Sequence, residues 1–413
     1  MTEVIPFKGI LYDNQKVTGS QVIAPPYDVI TPADRDALYG RSPYNVVRID
    51  AGRDLPEDNE RENKYTRARA LYDEWLQSGI LRREGGPAFY AYRMEYRIGG
   101  ARKTLTGLFG LVKLVELGEG VYPHEATHSK PKHDRLSLMD SLGANTSPIY
   151  SLYEGPASAT ASALAAAATG PAYMQAIEED GTVHALWPVT DASAIASIQS
   201  ELRGRKIFIA DGHHRYETAL DYRDSSRRKS GAAPDAVLPT DYVMMFLADI
   251  TDPAITVLPT HRLVRCDVSG LKDKLSRFFE IEKLAPDADI PASIEGRART
   301  FGMYAGGGSY RLTLKGGDLT DINPTLAGLD VVVLHEMVFG RLLSVDAIAY
   351  EMDPATVLGK VLSGEYDAAF FLNPTPVGSV QSVASARLRM PPKSTYFFPK
   401  IQTGFVMNSL KSF

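Results

Sequence analysis

The sequence predicts an α+β fold, a mixed α/β architecture with antiparallel hairpins and an additional C-terminal α/β region. Three observations carry that expectation. Residues 89–98 alternate, with Tyr90, Tyr92, Met94, Tyr96 and Ile98 on one face, and Gly99-Gly100 turns them into residues 103–111. Residues 300–305 and 310–314 repeat the arrangement around Gly306-Gly307-Gly308. The short apolar run 206–210 reads as a buried strand and passes directly into a helix over 213–223, with Tyr216, Ala219 and Leu220 on its inner face.

The remaining elements follow in order. Residues 61–78 form a helix because Ala68, Leu71, Tyr72, Trp75 and Leu76 recur at helical spacing and Gly79 supplies a C-cap. The Ala-rich stretch 157–168, broken by Ser158, Thr160 and Ser162, is a surface-packed helix. Residues 225–239 are rich in Ser, Arg, Gly, Ala and Pro and read as a flexible loop or linker. Beyond them come a strand at 242–247, helices at 271–279 and 326–343, and a strand at 366–372. The division that follows is an N-terminal α+β domain over 1–235 and a C-terminal α+β domain over 240–413.

Composition narrows the function. The 413 residues are 44% hydrophobic and 23% charged, ordinary values for a chain with a sizeable core. A net charge of -5 gives no basic excess for nucleic acid, so no nucleic-acid partner is expected. The N-terminus lacks the basic and apolar regions of a signal peptide, and no run approaches the ~18 apolar residues of a membrane span. A cytoplasmic protein without a membrane partner is the expectation. The single cysteine, Cys266, cannot form an internal disulfide and is expected to be a small buried residue.

Six of the eight histidines fall in three short clusters, more than core filling explains. Asp211-Gly212-His213-His214-Arg215 sits where the strand becomes the helix. Free N–H groups and the positive end of the helix dipole meet an anion there. Gly212 permits close approach. Arg215 offers a forked grip on phosphate oxygens. His213 or His214 can move a proton or accept a phosphoryl group, and Asp211 can orient an imidazole or hold magnesium.

The second cluster, His124-Glu125-Ala126-Thr127-His128 followed by His133-Asp134-Arg135, matches the H-E-x-x-H pattern literally. Pro123 and Pro131 leave under two turns for the helix that a zinc protease needs, so a loop carrying catalytic groups is expected instead. In it Glu125 is the candidate general base, and Lys130, Lys132 and Arg135 are phosphate contacts. The third cluster, Pro259-Thr260-His261-Arg262, brings a further cation, and Lys393 is another candidate phosphate contact. Tyr27 and Asp28, on the stiff Ala24-Pro25-Pro26 turn, join His124 and His261 as candidate substrate contacts.

These stretches resemble an uncharacterised bacterial family catalogued as domain of unknown function 1015. The match runs through Pro6-Phe7-Lys8-Gly9, Ala24 to Asp28, Pro123-His124-Glu125 to Asp134-Arg135, Ser147-Pro148-Ile149-Tyr150, Ala210 to Tyr216, Pro259 to Arg262, and Lys393 to Lys400. More distantly, Asp211-Gly212-His213-His214-Arg215 followed by Ala219 resembles the G-x-x-R motif of the ParB/sulfiredoxin-like superfamily, including its free-serine kinases. That resemblance implies a ParB/sulfiredoxin-like part of the fold, with Gly212, His213, His214 and Arg215 on nucleotide phosphates and a Glu as base. Glu125 corresponds by residue type alone.

The leading expectation is phosphoryl transfer at a small hydroxy or amino acid, serine or O-phosphoserine, running as kinase or phosphatase. Magnesium is the expected metal, with Asp211 as its ligand, and ATP or ADP the phosphate donor. The partners are then a small phosphorylated substrate or nucleotide, with a homo-oligomer left open. Two alternatives stand beside it: a metal-dependent hydrolase using His124, His128, His133, His213 and His214, and a non-catalytic ParB-like nucleotide-binding protein. The shared-site mechanism requires residues 124–135 and 211–215 to meet in space.

Overall fold

A glycine pair turns the chain twice where the backbone must take positive φ at two successive residues. Gly99 and Gly100, at φ 54° and 79°, join the strands Phe89–Ile98 and Ala101–Lys113; Gly306 and Gly307, at 57° and 72°, join Thr300–Ala305 and Gly308–Leu314. Two left-handed central residues give the tight hairpin whose twist matches its strands. Both expected hairpins are therefore present. The computed structural model describes residues 2–413 except 127, 128, 317, 318, 344 and 346, and except the side chains of 129–131.

The chain falls into two units, residues 1–123, 127–255 and 399–413 in the first, and residues 124–126 and 256–398 in the second. The expected boundary at 235–240 lies before the strand Tyr242–Asp249, which pairs with Ala101–Lys113 and with Ile149–Tyr153 of the first unit.

The first unit is built on a nine-stranded mixed sheet. From one edge its order is Val121–Tyr122, Ile207–Asp211, Ile149–Tyr153, Tyr242–Asp249, Ala101–Lys113, Phe89–Ile98, Val183–Val189 and Met174–Ile177, with Val4–Ile5 added to Ala101–Lys113. Two pairings are parallel, Ile207–Asp211 with Val121–Tyr122 and Tyr242–Asp249 with Ile149–Tyr153. Ile149, Ile209, Val243, Met245 and Leu247 are among the residues of its apolar core, joined by Tyr216 and Ala219 from helix His213–Ser230. Each large apolar side chain fully buried there contributes about 1.5–3 kcal/mol. The tyrosine-rich strand is buried on both faces near its start, Phe89 and Ala91 as well as Tyr90 and Tyr92, whereas its alternation predicted one buried face.

Helix Lys64–Gln77 starts three residues after the predicted 61 because Asn63 caps it and Thr66 completes a reciprocal box; Ala68, Tyr72 and Trp75 form its buried face. Three expectations are corrected. Helix His213–Ser230 runs seven residues beyond the predicted end, stopping at Gly231 (φ 61°), because Arg227 near its end is held by Asp241, with N···O 2.8 and 2.6 Å. The predicted 124–135 loop is half helix: Ser129–Leu142 is helical, since Pro131 falls in the first turn, where no intrahelical N–H is lost. Cys266 is half-buried rather than buried.

The second unit carries a six-stranded antiparallel sheet in the order Phe279–Lys283, Gly308–Leu314, Thr300–Ala305, Ala368–Phe371, His261–Val264 and Ile348–Glu351. The helix predicted over 271–279 is only Leu271–Leu275, because Phe279–Lys283 continues as an edge strand. The helix predicted over 326–343 is broken into Pro324–Ala327, Asp330–Val333 and a π-helical turn Leu334–Gly340. Among the described residues no helix is long and apolar enough to cross a membrane.

Candidate functional site

Strand Ile207–Asp211 loses register with Ile149–Tyr153 between Ile209 and Asp211, and Gly212 then takes φ 93° before the helix starts at His213. This sharp turn places Asp211 and Arg215 one helical turn apart. Arg215 Nη2 donates to Asp211 Oδ2 at 2.8 Å and Nη1 to the Pro148 carbonyl, while Nε has no hydrogen-bond partner among the described residues. Arg215 is 8% exposed. Lys400 Nζ donates to Asp211 Oδ1 at 3.2 Å. A Cβ on Gly212 would lie 2.8 Å from Arg215 Nε, so glycine serves both the left-handed backbone and the guanidinium packed against it. Gly212→Ala is expected to cost about 1–2 kcal/mol through the positive φ alone. It should also displace Arg215. Equal urea midpoints for the two proteins would sink this account.

A second buried guanidinium faces the same region. Arg135, 7% exposed, lies in helix Ser129–Leu142 with its Cζ 4.0 Å from the centre of the Tyr27 ring. Its Nε and Nη2 donate to Asp134 Oδ2 at 2.9 and 2.6 Å. Nη1 stands 3.4 Å from Asp50 Oδ1 and makes no hydrogen bond among the described residues. Asp134 Oδ1 accepts from the Tyr65 hydroxyl at 2.9 Å and lies 2.9 Å from Lys64 Nζ. Burial pushes the Asp134 carboxyl up, but Arg135 and Lys64 outweigh it and hold it at about 2. Tyr27 is pushed well above the usual phenol range by burial, then by Asp28.

Two cavities flank Arg135. One, of about 30 Å³, is lined by Arg135, Arg215, Asn145, Thr146 and Ser147 among others. The other, of about 70 Å³, is lined by Tyr27, Arg35, Asp50, Lys64, Tyr65, Asp134 and Arg135 among others. Arg135 and Leu138 belong to both walls.

The predicted residues therefore separate. Tyr27, Arg135, Asp211, Gly212 and Arg215 gather in the first unit, with His213 buried and His214 half-buried at the helix start. Asp28 is exposed. Lys132 is held by Glu217 at 2.7 Å across two helices, a pair that neutralises its charge. His133 is exposed, and His128 and the Lys130 side chain lie outside the described residues. His124 and Glu125 belong with the second unit. Glu125 Oε1 accepts from the N–H groups of Ser394 and Thr395 and from the Thr395 hydroxyl, at 3.0, 3.1 and 3.1 Å, and the fully buried His124 meets that hydroxyl at 2.8 Å. Glu125 is thus tied to a segment 269 residues away, as a latch is.

Arg262 is engaged in the same manner. It is 1% exposed and donates to the Thr260 and Lys393 carbonyls and, at 3.2 Å, to His335 Nε2. Burial lowers it to about 10. A guanidinium with all three nitrogens donating to protein is a buried brace, not an open phosphate clamp. Lys393 is exposed, at φ 58°. His261 is fully buried and accepts from the Leu372 N–H at 3.3 Å. Asp50, Arg35, Thr146 and Tyr65 were missed, and no local motif marks them.

The expected magnesium ligand does not fit. Both Asp211 oxygens face cations, and among the described residues no group of three or more His, Cys, Asp or Glu side chains could hold a metal ion.

A family model described as a protein of unknown function, DUF1015, matches residues 4–332. The chain belongs to this family. Solved structures resembling the DUF1015 chain include a conserved hypothetical protein from Pyrococcus furiosus, 16% identical, covering 71% of this chain and 92% of that one at a TM-score of 0.35. A free serine kinase in complex with AMP is 14% identical, covering 70% and 86% at 0.35. SbnI from Staphylococcus aureus, C-terminally truncated, is 12% identical, covering 71% and 85% at 0.35. At these values the likeness says nothing about chemistry. No curated protein matches the chain.

Proposed function

We propose that this DUF1015 chain is a phosphoryl-transfer enzyme acting on a small hydroxy or amino acid, with serine and O-phosphoserine the first compounds to test. One observation carries the reading: two buried guanidiniums, Arg135 and Arg215, each with a nitrogen lacking a hydrogen-bond partner among the described residues, line one cavity beside the N-terminus of helix His213–Ser230. Buried donors left open are held for an acceptor, and a phosphoryl group carries several oxygens to take them. In-line transfer needs such clamps more than it needs covalent chemistry. The helix dipole adds to the field at the same end.

In this reading Arg215 Nε and Arg135 Nη1 hold phosphate oxygens, Gly212 lets the phosphate approach the backbone, and His213 or His214 moves a proton. Asp211 and Lys400 hold Arg215 in place rather than contacting substrate. The same clamps serve transfer from ATP or ADP to serine and loss of phosphate from O-phosphoserine. Phosphorus NMR of the full chain decides the direction: one sample holds O-phosphoserine alone, others serine with ATP or ADP and magnesium as the nucleotide's counter-ion. Conversion in one sample, lost in Arg215→Lys, is expected. Tight nucleotide binding with no conversion in any sample would overturn catalysis and leave a binding protein.

A further inference from the structure

Asp50 is 2% exposed, yet only one of its oxygens is used. Oδ1 accepts from the Thr146 hydroxyl at 2.6 Å and lies 3.4 Å from Arg135 Nη1. Oδ2 has no hydrogen-bond partner among the described residues, although Asp50 lines the ~70 Å³ cavity. Leaving a buried acceptor unsatisfied costs about 1–3 kcal/mol, so an idle carboxylate oxygen needs a reason. Two further residues lining the same cavity, Arg35 and Arg135, each hold a buried nitrogen, Nε and Nη1, with no hydrogen-bond partner among the described residues. One acceptor oxygen and two guanidinium donors therefore belong to residues that line a space the size of a small polar group.

We propose that Asp50 is the general base of the transfer, a reading that rests on the proposed phosphoryl-transfer function. The acceptor's hydroxyl sits in this cavity and gives its proton to Asp50 Oδ2 as its oxygen bonds to phosphorus. The bond from phosphorus to the donor's bridging oxygen breaks, and its electron pair leaves with the nucleotide, shortened by one phosphate. Arg135, common to both cavities, bridges acceptor and phosphate. Arg35 Nε takes the acceptor's carboxylate.

The other carboxylates are excluded by what they already hold. Both Asp134 oxygens are engaged by Lys64, Tyr65 and Arg135, and both Asp211 oxygens by Lys400 and Arg215. Glu125 is the latch to residues 394 and 395. Tyr27, pushed far up, keeps its proton. The Thr146 bond occupies Oδ1, which leaves Oδ2 as the oxygen to take the proton.

The test measures transfer rates by phosphorus NMR on the full chain carrying Asp50→Asn, which keeps size and the Thr146 bond. A fall in kcat of about 10²–10⁴-fold is expected. The acceptor's KM should change less than about fivefold, and unfolding is followed alongside because the substitution neutralises a carboxylate 3.4 Å from Arg135. Asp50→Ala should regain at least about tenfold on adding formate, a rescue that a structural role would not show. If Asp50→Asn does not fold, Thr146→Val carries the test through a kcat loss of about 3–10-fold at constant KM. Wild-type transfer with Asp50→Asn, or in its place Thr146→Val, within about threefold of it would overturn the assignment and leave the phosphoryl-transfer reading intact. Absence of transfer in the wild type with every acceptor and donor would overturn that reading and this assignment together.

Discussion

Arg215→Lys is expected to lower phosphoryl transfer by about 10²–10³-fold, the usual loss when one preorganised donor to developing negative charge is removed. Lysine keeps the charge but cannot reach the Pro148 carbonyl, Asp211 and a phosphate at once, as the planar guanidinium does. ADP binding, read by calorimetry, should weaken as well. Arg215→Met removes the charge too, and leaves Asp211 with the ammonium of Lys400. Breaking a buried pair in this way costs about 3–5 kcal/mol. The two variants separate chemistry from folding: lysine should reduce rate far more than stability, methionine both. Transfer by the lysine variant within about threefold of wild type would sink the clamp.

Acidification is expected to weaken the second unit well before the carboxylates titrate. Burial, then Arg262, lowers His261 to about 4, and the same two causes lower His335 to about 3. An unfolded histidine titrates near 6.5, so between ~6.5 and ~4 the unfolded chain binds more protons than the folded one. Stability is therefore full above pH ~6.5 and falls as pH drops through that window. For His261 alone, fully buried, the loss approaches about 3 kcal/mol by pH 4. Hydrogen exchange of strands Thr300–Ala305 and Gly308–Leu314, corrected for intrinsic rates, should show protection falling between pH 7 and 4.5. His261→Gln should flatten that dependence. Protection unchanged across the window would refute it.

The site was legible wherever chemistry and chain neighbourhood coincide. A strand, a glycine and an Arg three residues on announce a turn into a helix, and the structure has that turn, with Arg215 folded back on Asp211. Arg135 stood as a candidate phosphate contact on its residue type, but nothing near it disclosed its place over the ring of Tyr27, 108 residues earlier in the chain. Glu125 shows the limit from the other side. Its residue type suits a base, and nothing near it in sequence discloses the bonds to Ser394 and Thr395. Arg262 reads the same way: an Arg beside a His suggests an open cation, and its burial at 1% was invisible.

By itself the sequence determined what depends on a few neighbouring residues: both glycine-pair hairpins, the helix that ends before Gly79, the strand-to-helix turn at Gly212, and the α+β class. Backbone φ preferences and capping act over a turn or less, so they are written locally. Tertiary structure alone decided which polar groups are satisfied. Asp50 has Oδ1 occupied because Thr146, 96 residues away, folds against it, while Oδ2 has no hydrogen-bond partner among the described residues. Lys132, a predicted phosphate contact, faces Glu217 from a neighbouring helix. Whether a charged side chain is a tool or a brace depends on its hydrogen-bond partners, and those arrive only when distant segments pack.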